Sequence, residues 1–102
     1  MNQRVAIVTG AGSGIGAAPA IRLSRDGLAV AVLDKDAEAG ERTVREITEG
    51  GGFTLAVPAD VTDPARIGTA VAQVAAQLGP PTVLINNAGL TSDRPFAENN
   101  FR

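Results

Sequence analysis

The sequence predicts an open α/β fold, a parallel sheet of four strands with helices on both faces. Three observations predict it. Short runs that are apolar at consecutive positions alternate with longer stretches of helical periodicity. Glycine or proline marks most of the junctions, and the alternation persists through four strands. A strand apolar at every position is buried on both sides, which is its environment in a parallel sheet covered by crossover helices. Helix-linked strands run parallel with right-handed crossovers, so the order βαβαβαβ implies such a sheet.

The first strand is read over 4–9, where Val5, Ala6, Ile7 and Val8 lead directly into a glycine-rich turn. The first helix follows over 14–26 and ends at Gly27. Pro19 falls beyond its first turn. The missing N–H leaves the Ile15 carbonyl without its helical donor and the ring crowds that turn, at ~3 kcal/mol unless a kink or a later helix start relieves it. The second strand spans 28–33. In the second helix, 37–49, Ala37, Val44 and Ile47 share a face with Gly40. Glu38–Arg42 and Glu41–Arg45 stand at i, i+4 on the other side, in the favourable acidic-first order. The third strand is 53–57. Asp63-Pro64 then signals a helix start, an N-cap acid followed by proline in the first turn. Ile67, Val71, Val74 and Leu78 recur at helical spacing until Gly79-Pro80-Pro81 stops the helix. The fourth strand is 82–86. Residues 91–102 have no periodicity and read as an irregular, loosely attached tail to a domain of residues 1–90.

Composition narrows the chemistry. A chain of 102 residues makes one domain, able to bury roughly 65% of its unfolded surface. The net charge of −2 offers no footprint for nucleic acid. No apolar run approaches the ~20 residues that span a bilayer, and no basic segment precedes an apolar one as in a secretory signal. There is no Cys, His, Tyr or Trp. That excludes a disulfide, a thiolate nucleophile, a Ser-His-Asp triad and a tyrosine acid within these residues, and leaves zinc only carboxylates. A cysteine-free chain without a signal is compatible with the cytoplasm.

The segment Thr9-Gly10-Ala11-Gly12-Ser13-Gly14-Ile15-Gly16 lies between the first strand and the first helix. Glycine permits φ > 0 and close approach of backbone to a ligand, and the free N–H groups at the helix start favour an anion such as a pyrophosphate. Strict G-x-G-x-x-G spacing from Gly10 fails at Ile15, whereas the looser form ending in alanine is met by Gly12, Gly14 and Ala17. Asp34 stands at the end of the second strand, twenty residues after Gly14, where a dinucleotide-binding sheet of the Rossmann type places an acid against the adenosine ribose. Its carboxylate would repel a 2′-phosphate, so NAD is favoured over NADP. Lys35, the only lysine, adjoins it. The competing reading is that Asp34 or Asp36 caps the following helix.

At these residues the chain resembles the short-chain dehydrogenase/reductase family. The family's T-G-x-x-x-G-x-G appears as Thr9-Gly10 followed by Gly14-Ile15-Gly16, its N-N-A-G as Asn86-Asn87-Ala88-Gly89, and its adenine-side Asp-Val as Asp60-Val61. The stretch from Asn86 to Asp93 looks most like the 3-oxoacyl-carrier-protein reductase branch. The resemblance implies that Thr9, Gly10, Gly12, Ser13, Gly14, Ile15 and Gly16 form the pyrophosphate cradle and that Asp34 holds the ribose. It places Asp60 and Val61 at the adenine, and Asn87, Ala88 and Gly89 beside the nicotinamide ribose.

The family's catalytic Ser, Tyr-x-x-x-Lys and Asn fall beyond residue 102 in this register. The expectation is therefore an N-terminal, truncated part of an NAD(P)-dependent oxidoreductase acting on a carbonyl or alcohol, with strands in the order 3-2-1-4 only, inactive as an isolated chain. Its open fourth strand, with Val83, Leu84 and Ile85, would be a pairing edge for a complementary C-terminal half or for another copy of the chain. Two other readings are a non-catalytic NAD-binding or partner-docking module and a degenerate product. Neither nucleic acid nor membrane is an expected partner.

Overall fold

The computed structural model describes residues 3–10, 14–60 and 62–86. Its elements are β1 (Val5–Thr9), α1 (Gly14–Arg25), β2 (Ala29–Asp34), α2 (Ala37–Glu49), β3 (Thr54–Pro58), α3 (Pro64–Gln77) and β4 (Val83–Asn86). The strands form one parallel sheet in the order β3-β2-β1-β4. The expected irregular tail, 91–102, lies outside the described residues.

Alternate residues of β1 and β2 feed two cores, as the period of two in a strand requires. Val5, Ile7, Ala29, Ala31 and Leu33 point to one face, where Ala70 and Val74 of α3 cover them. Val8, Val30 and Val32 point to the other, against Ala20 of α1 and Ile47 of α2. Helices therefore pack on both faces, and β1 and β2 are buried at every position but the last, Asp34.

Helix ends follow local chemistry. Asp36 is the N-cap of α2, its carboxylate accepting from the N–H groups of Glu38 and Ala39. Asp63 caps α3 by accepting from Ala65 N–H, with Pro64 in the first turn. Gly27, at φ 97°, closes α1: its N–H donates to the Ser24 carbonyl while Leu28 N–H reaches back to Leu23, a Schellman arrangement that a side chain at this φ would strain.

Several expectations are corrected. The buried stripe of α2 is Ala39, Gly40, Thr43 and Ile47; Ala37 is exposed and Val44 only half-buried. The helix is rotated so that its small residues meet the sheet, and Gly40 brings α2 against Val32. Glu38–Arg42 and Glu41–Arg45 do not close as ion pairs; these four side chains line an open surface groove. In α3, Ala70 and Val74 are buried while Ile67 is 37% exposed. The buried stripe begins one turn later than its hydrophobic spacing suggested.

α1 starts at Gly14 and continues as helix through Pro19, so a delayed start does not relieve the proline. Pro19→Ala is accordingly expected to raise stability by about 1–3 kcal/mol, restoring a donor for the Ile15 carbonyl and removing the ring from the preceding turn. Thermal unfolding checks this, and a melting temperature unchanged or lowered would count against it.

Candidate functional site

Because every strand runs the same way, their C-terminal ends share one edge. Thr9 is level with Leu33 on one side and Asn86 on the other, and Asp34 is level with Pro58. Thr9, Asp34 and Asn86 thus end adjacent or next-but-one strands, and Asp60 follows the end of β3 by two residues. The chain leaves β1 through α1 on one face and reaches β4 through α3 on the other. With α1 and α3 on opposite faces, the winding of the sheet reverses between β1 and β4, and such a switch point opens a crevice beyond the strand ends.

The glycine turn begins where this crevice opens. Gly10 has φ 64°, a left-handed conformation that costs glycine nothing and a residue with a Cβ about 1 kcal/mol or more. Its N–H extends the β1–β2 ladder by donating to the Leu33 carbonyl at 2.8 Å. Gly14, Ile15 and Gly16 form the first helical turn of α1, with Gly16 buried. That turn holds no acidic residue. Its N–H groups and positive dipole end are thus not neutralised by a carboxylate of the same turn, which suits an incoming anion.

Thr9 is buried, and its hydroxyl donates to Asn86 Oδ1 at 2.8 Å. This bond ties β1 to β4 across the switch point, just where the crevice would otherwise spread. The family resemblance places Thr9 on the cofactor side and gives Asn86 no role of its own. The available signal was a polar residue ending an apolar strand.

The two acids at the ends of β2 and beyond β3 each accept from donors two residues further on. Asp34 is half-buried, and its Oδ1 accepts from Asp36 N–H at 2.9 Å. Capping of α2 falls to Asp36, which separates the two readings left open by the sequence: Asp34 is not the cap. Asp60 is exposed. Its Oδ1 accepts from the Thr62 hydroxyl at 2.6 Å and the Thr62 N–H at 2.9 Å. The hydroxyl bond first and the amide bond second hold the Asp60 carboxyl below its usual range, with smaller help from the charges of Lys35 and Arg66. Thr62 is a residue that sequence reasoning passed over. The signal for it was the Asp-x-Thr spacing, which lets a carboxylate reach the donors two residues on.

Gly12, Ser13, Val61, Asn87, Ala88 and Gly89, all assigned to the site from the sequence, lie outside the described residues. Among the described residues no cluster of acids could hold a metal ion, and no helix is long and apolar enough to cross a membrane.

Comparison with known proteins points the same way. Residues 4–102 match the model of the family described as short chain dehydrogenase. The short-chain reductase protein NovJ of Streptomyces niveus is 41% identical over 92 residues, covering 90% of this chain and 35% of that protein. Among solved structures, an actinorhodin polyketide ketoreductase with NADPH superposes with a TM-score of 0.82 at 40% identity, over 93% of this chain and 36% of that one. A metagenomic short-chain oxidoreductase in complex with NADP does so with a TM-score of 0.80 at 37% identity, over 87% and 40%. The chain thus spans a little over a third of the length of the proteins it matches. The family match across nearly all its residues, together with the 3-2-1-4 sheet and the glycine turn at its switch point, makes this chain a member of the short chain dehydrogenase family.

Proposed function

We propose that these residues form the dinucleotide-binding part of an NAD(P)-dependent oxidoreductase that interconverts a carbonyl and an alcohol. The observation that carries the reading is the convergence, at one sheet edge, of a left-handed glycine, an acid-free helix N-terminus and two carboxylates that each accept from donors two residues further on. The donor set fits the group: backbone N–H groups for a pyrophosphate, and acceptor-only carboxylates for ribose hydroxyls and an exocyclic amine. The two solved relatives named above were found with NADP or NADPH.

In this reading Gly10, Gly12, Ser13, Gly14, Ile15 and Gly16 hold the pyrophosphate, with Thr9 beneath them. Asp34 accepts from the adenosine ribose, Asp60 and Val61 line the adenine, and Asn87, Ala88 and Gly89 pack beside the nicotinamide ribose. The bond from Thr9 to Asn86 keeps β1 and β4 in register under the ligand. The bound cofactor supplies or accepts the hydride. In this reading the proton is moved by a group outside these residues, because the family's Tyr-x-x-x-Lys has no counterpart in them. A complementary C-terminal part on the β4 edge is the partner this implies. β4 ends the sheet, and its Leu84 is 47% exposed on the face that α3 covers only in part. NAD is the proposed cofactor over NADP, because a 2′-phosphate would meet the Asp34 carboxylate.

Titration with NADH tests the reading directly. The chain has neither Trp nor Tyr, so the cofactor's own fluorescence reports binding without protein background. Saturable enhancement is expected. A folded chain that leaves the fluorescence unchanged up to millimolar NADH would overturn the reading. Mixing with a C-terminal part of a family relative, and following NADH consumption, tests the oxidoreductase half of it.

A further inference from the structure

We infer that Pro19 tunes the affinity for the dinucleotide: it gives α1 two competing starts, at Gly14 and at Pro19, and an anion on the first turn selects the longer helix. The inference rests on the dinucleotide-binding reading and adds to it a conformational change coupled to binding.

The structure shows α1 from Gly14 to Arg25, with the proline inside the helix. Helical bonds run from each N–H to the carbonyl four residues back. The turn of Gly14, Ile15, Gly16 and Ala17 is therefore tied to the rest of α1 by the N–H groups of Ala18, Ala20 and Ile21, and Pro19 gives none. Two of its four residues are glycine, which with proline is the poorest of helix formers. The described side chains that anchor α1 in the core are Ala20, Ile21 and Leu23, all beyond the proline. Gly16 is buried in the first turn but has no side chain to pack. Local stability of α1 therefore rises past Pro19.

The competing start is at the proline itself. Proline is favoured at the first position of a helix, where its missing N–H has no helical partner to lose and its φ is already helical. Ala18 is a poor cap for that shorter helix, so neither start dominates by propensity alone. Charge separates them. α2 carries Glu38 in its first turn, and its cap Asp36 accepts from two N–H groups, whereas the first turn of α1 holds no acid. A pyrophosphate on the N–H groups of the longer helix supplies that negative charge. Because it binds one form and not the other, it shifts the population towards the longer helix. The free chain then binds with an affinity reduced by the fraction in which the turn is complete.

The test uses the full chain, with NADH as the ligand and adenosine as the control without a pyrophosphate. Pro19→Ala restores a donor for the Ile15 carbonyl and removes the competing start. It is expected to tighten NADH binding about threefold, as for a turn complete in about a third of free chains. Adenosine binding should stay unchanged. Amide exchange, followed by NMR, gives the second readout. In the wild-type chain, exchange at Ala18 and Ala20 should be faster than at Ile47 of α2 and should slow on saturation with NADH. In Pro19→Ala it should be slow from the outset. A folded Pro19→Ala with unmoved NADH affinity would overturn the inference. Equal tightening of NADH and adenosine would do the same, as a sign of general stabilisation. So would amides of Ala18 and Ala20 as protected as that of Ile47 in the free wild-type chain, a measurement that decides alone if the variant does not fold. A wild-type chain that does not bind NADH overturns the dinucleotide reading and this inference with it. Binding of NADH that Pro19→Ala leaves unchanged overturns only the role of Pro19.

Discussion

Asp34→Asn is expected to shift the ratio of NAD to NADP affinity about a hundredfold toward NADP. Two effects of similar size add. The amide loses the charge that strengthens a bond to the ribose hydroxyl, about tenfold for a charge-assisted bond at a half-buried site. It also removes the repulsion of a 2′-phosphate, worth about another tenfold once solvent screening is allowed for. Together they amount to about 2.8 kcal/mol. Asparagine keeps an oxygen where Oδ1 accepts from Asp36 N–H, so the turn into α2 and the melting temperature should be preserved. Fluorescence titration of NADH and NADPH against both chains reads the ratio. An unmoved ratio would remove Asp34 from the specificity of this site. A wild-type chain that already binds NADPH more tightly would point to the neighbouring cation Lys35, one residue on, as the dominant group.

Leu33→Ala is the substitution expected to damage the fold most. Leu33 is the largest of the fully buried side chains. It lies in the core shared with Val57, Ala59, Ala70 and Val74, where β2 sits between β1 and β3 and has no room to collapse. A loss of about 3 kcal/mol follows from the missing methyl groups and the cavity left behind. For a domain of this size that lowers the melting temperature by roughly 12–24 °C. Leu84→Ala provides the contrast. The same truncation at a position 47% exposed should cost under about 1 kcal/mol. Equal costs at the two sites would show that the β4 face is covered in solution and that the core around Leu33 is looser than its packing implies.

Much of the architecture was legible because parallel sheets write themselves plainly. A strand buried on both faces must be apolar throughout, and β1 and β2 are. The start of α3 was equally plain, where Asp63 and Pro64 open the first turn. The faces of the helices were less so. Periodicity assigned Ala37 and Ile67 to the interior, yet both stand in the first turn of a helix and are exposed. A hydrophobic pattern says which residues can be buried, whereas the assembled sheet decides which of them it covers. Glu38–Arg42 and Glu41–Arg45 were legible as spacing only, since exposed charges in water have little to gain by closing.

For the candidate site the division is sharper. Sequence alone determined that a glycine turn joins β1 to α1, that acids end β2 and follow β3, and that the chemistry-bearing residue types are those of a binding site. These are properties of local order, and local order carries them. Tertiary structure decided which acid does what. Asp34 and Asp36 are two residues apart and chemically identical, and only the geometry of the α2 start assigns the cap to Asp36 and leaves Asp34 at the sheet edge. It also decided that Thr9 meets Asn86, partners 77 residues apart in the chain that stand side by side because β4 pairs with β1 and not with β3. Strand order is a consequence of crossover handedness and of burial of both faces of the sheet at once. Contacts made across it follow from the assembled sheet, and no segment of the chain contains them.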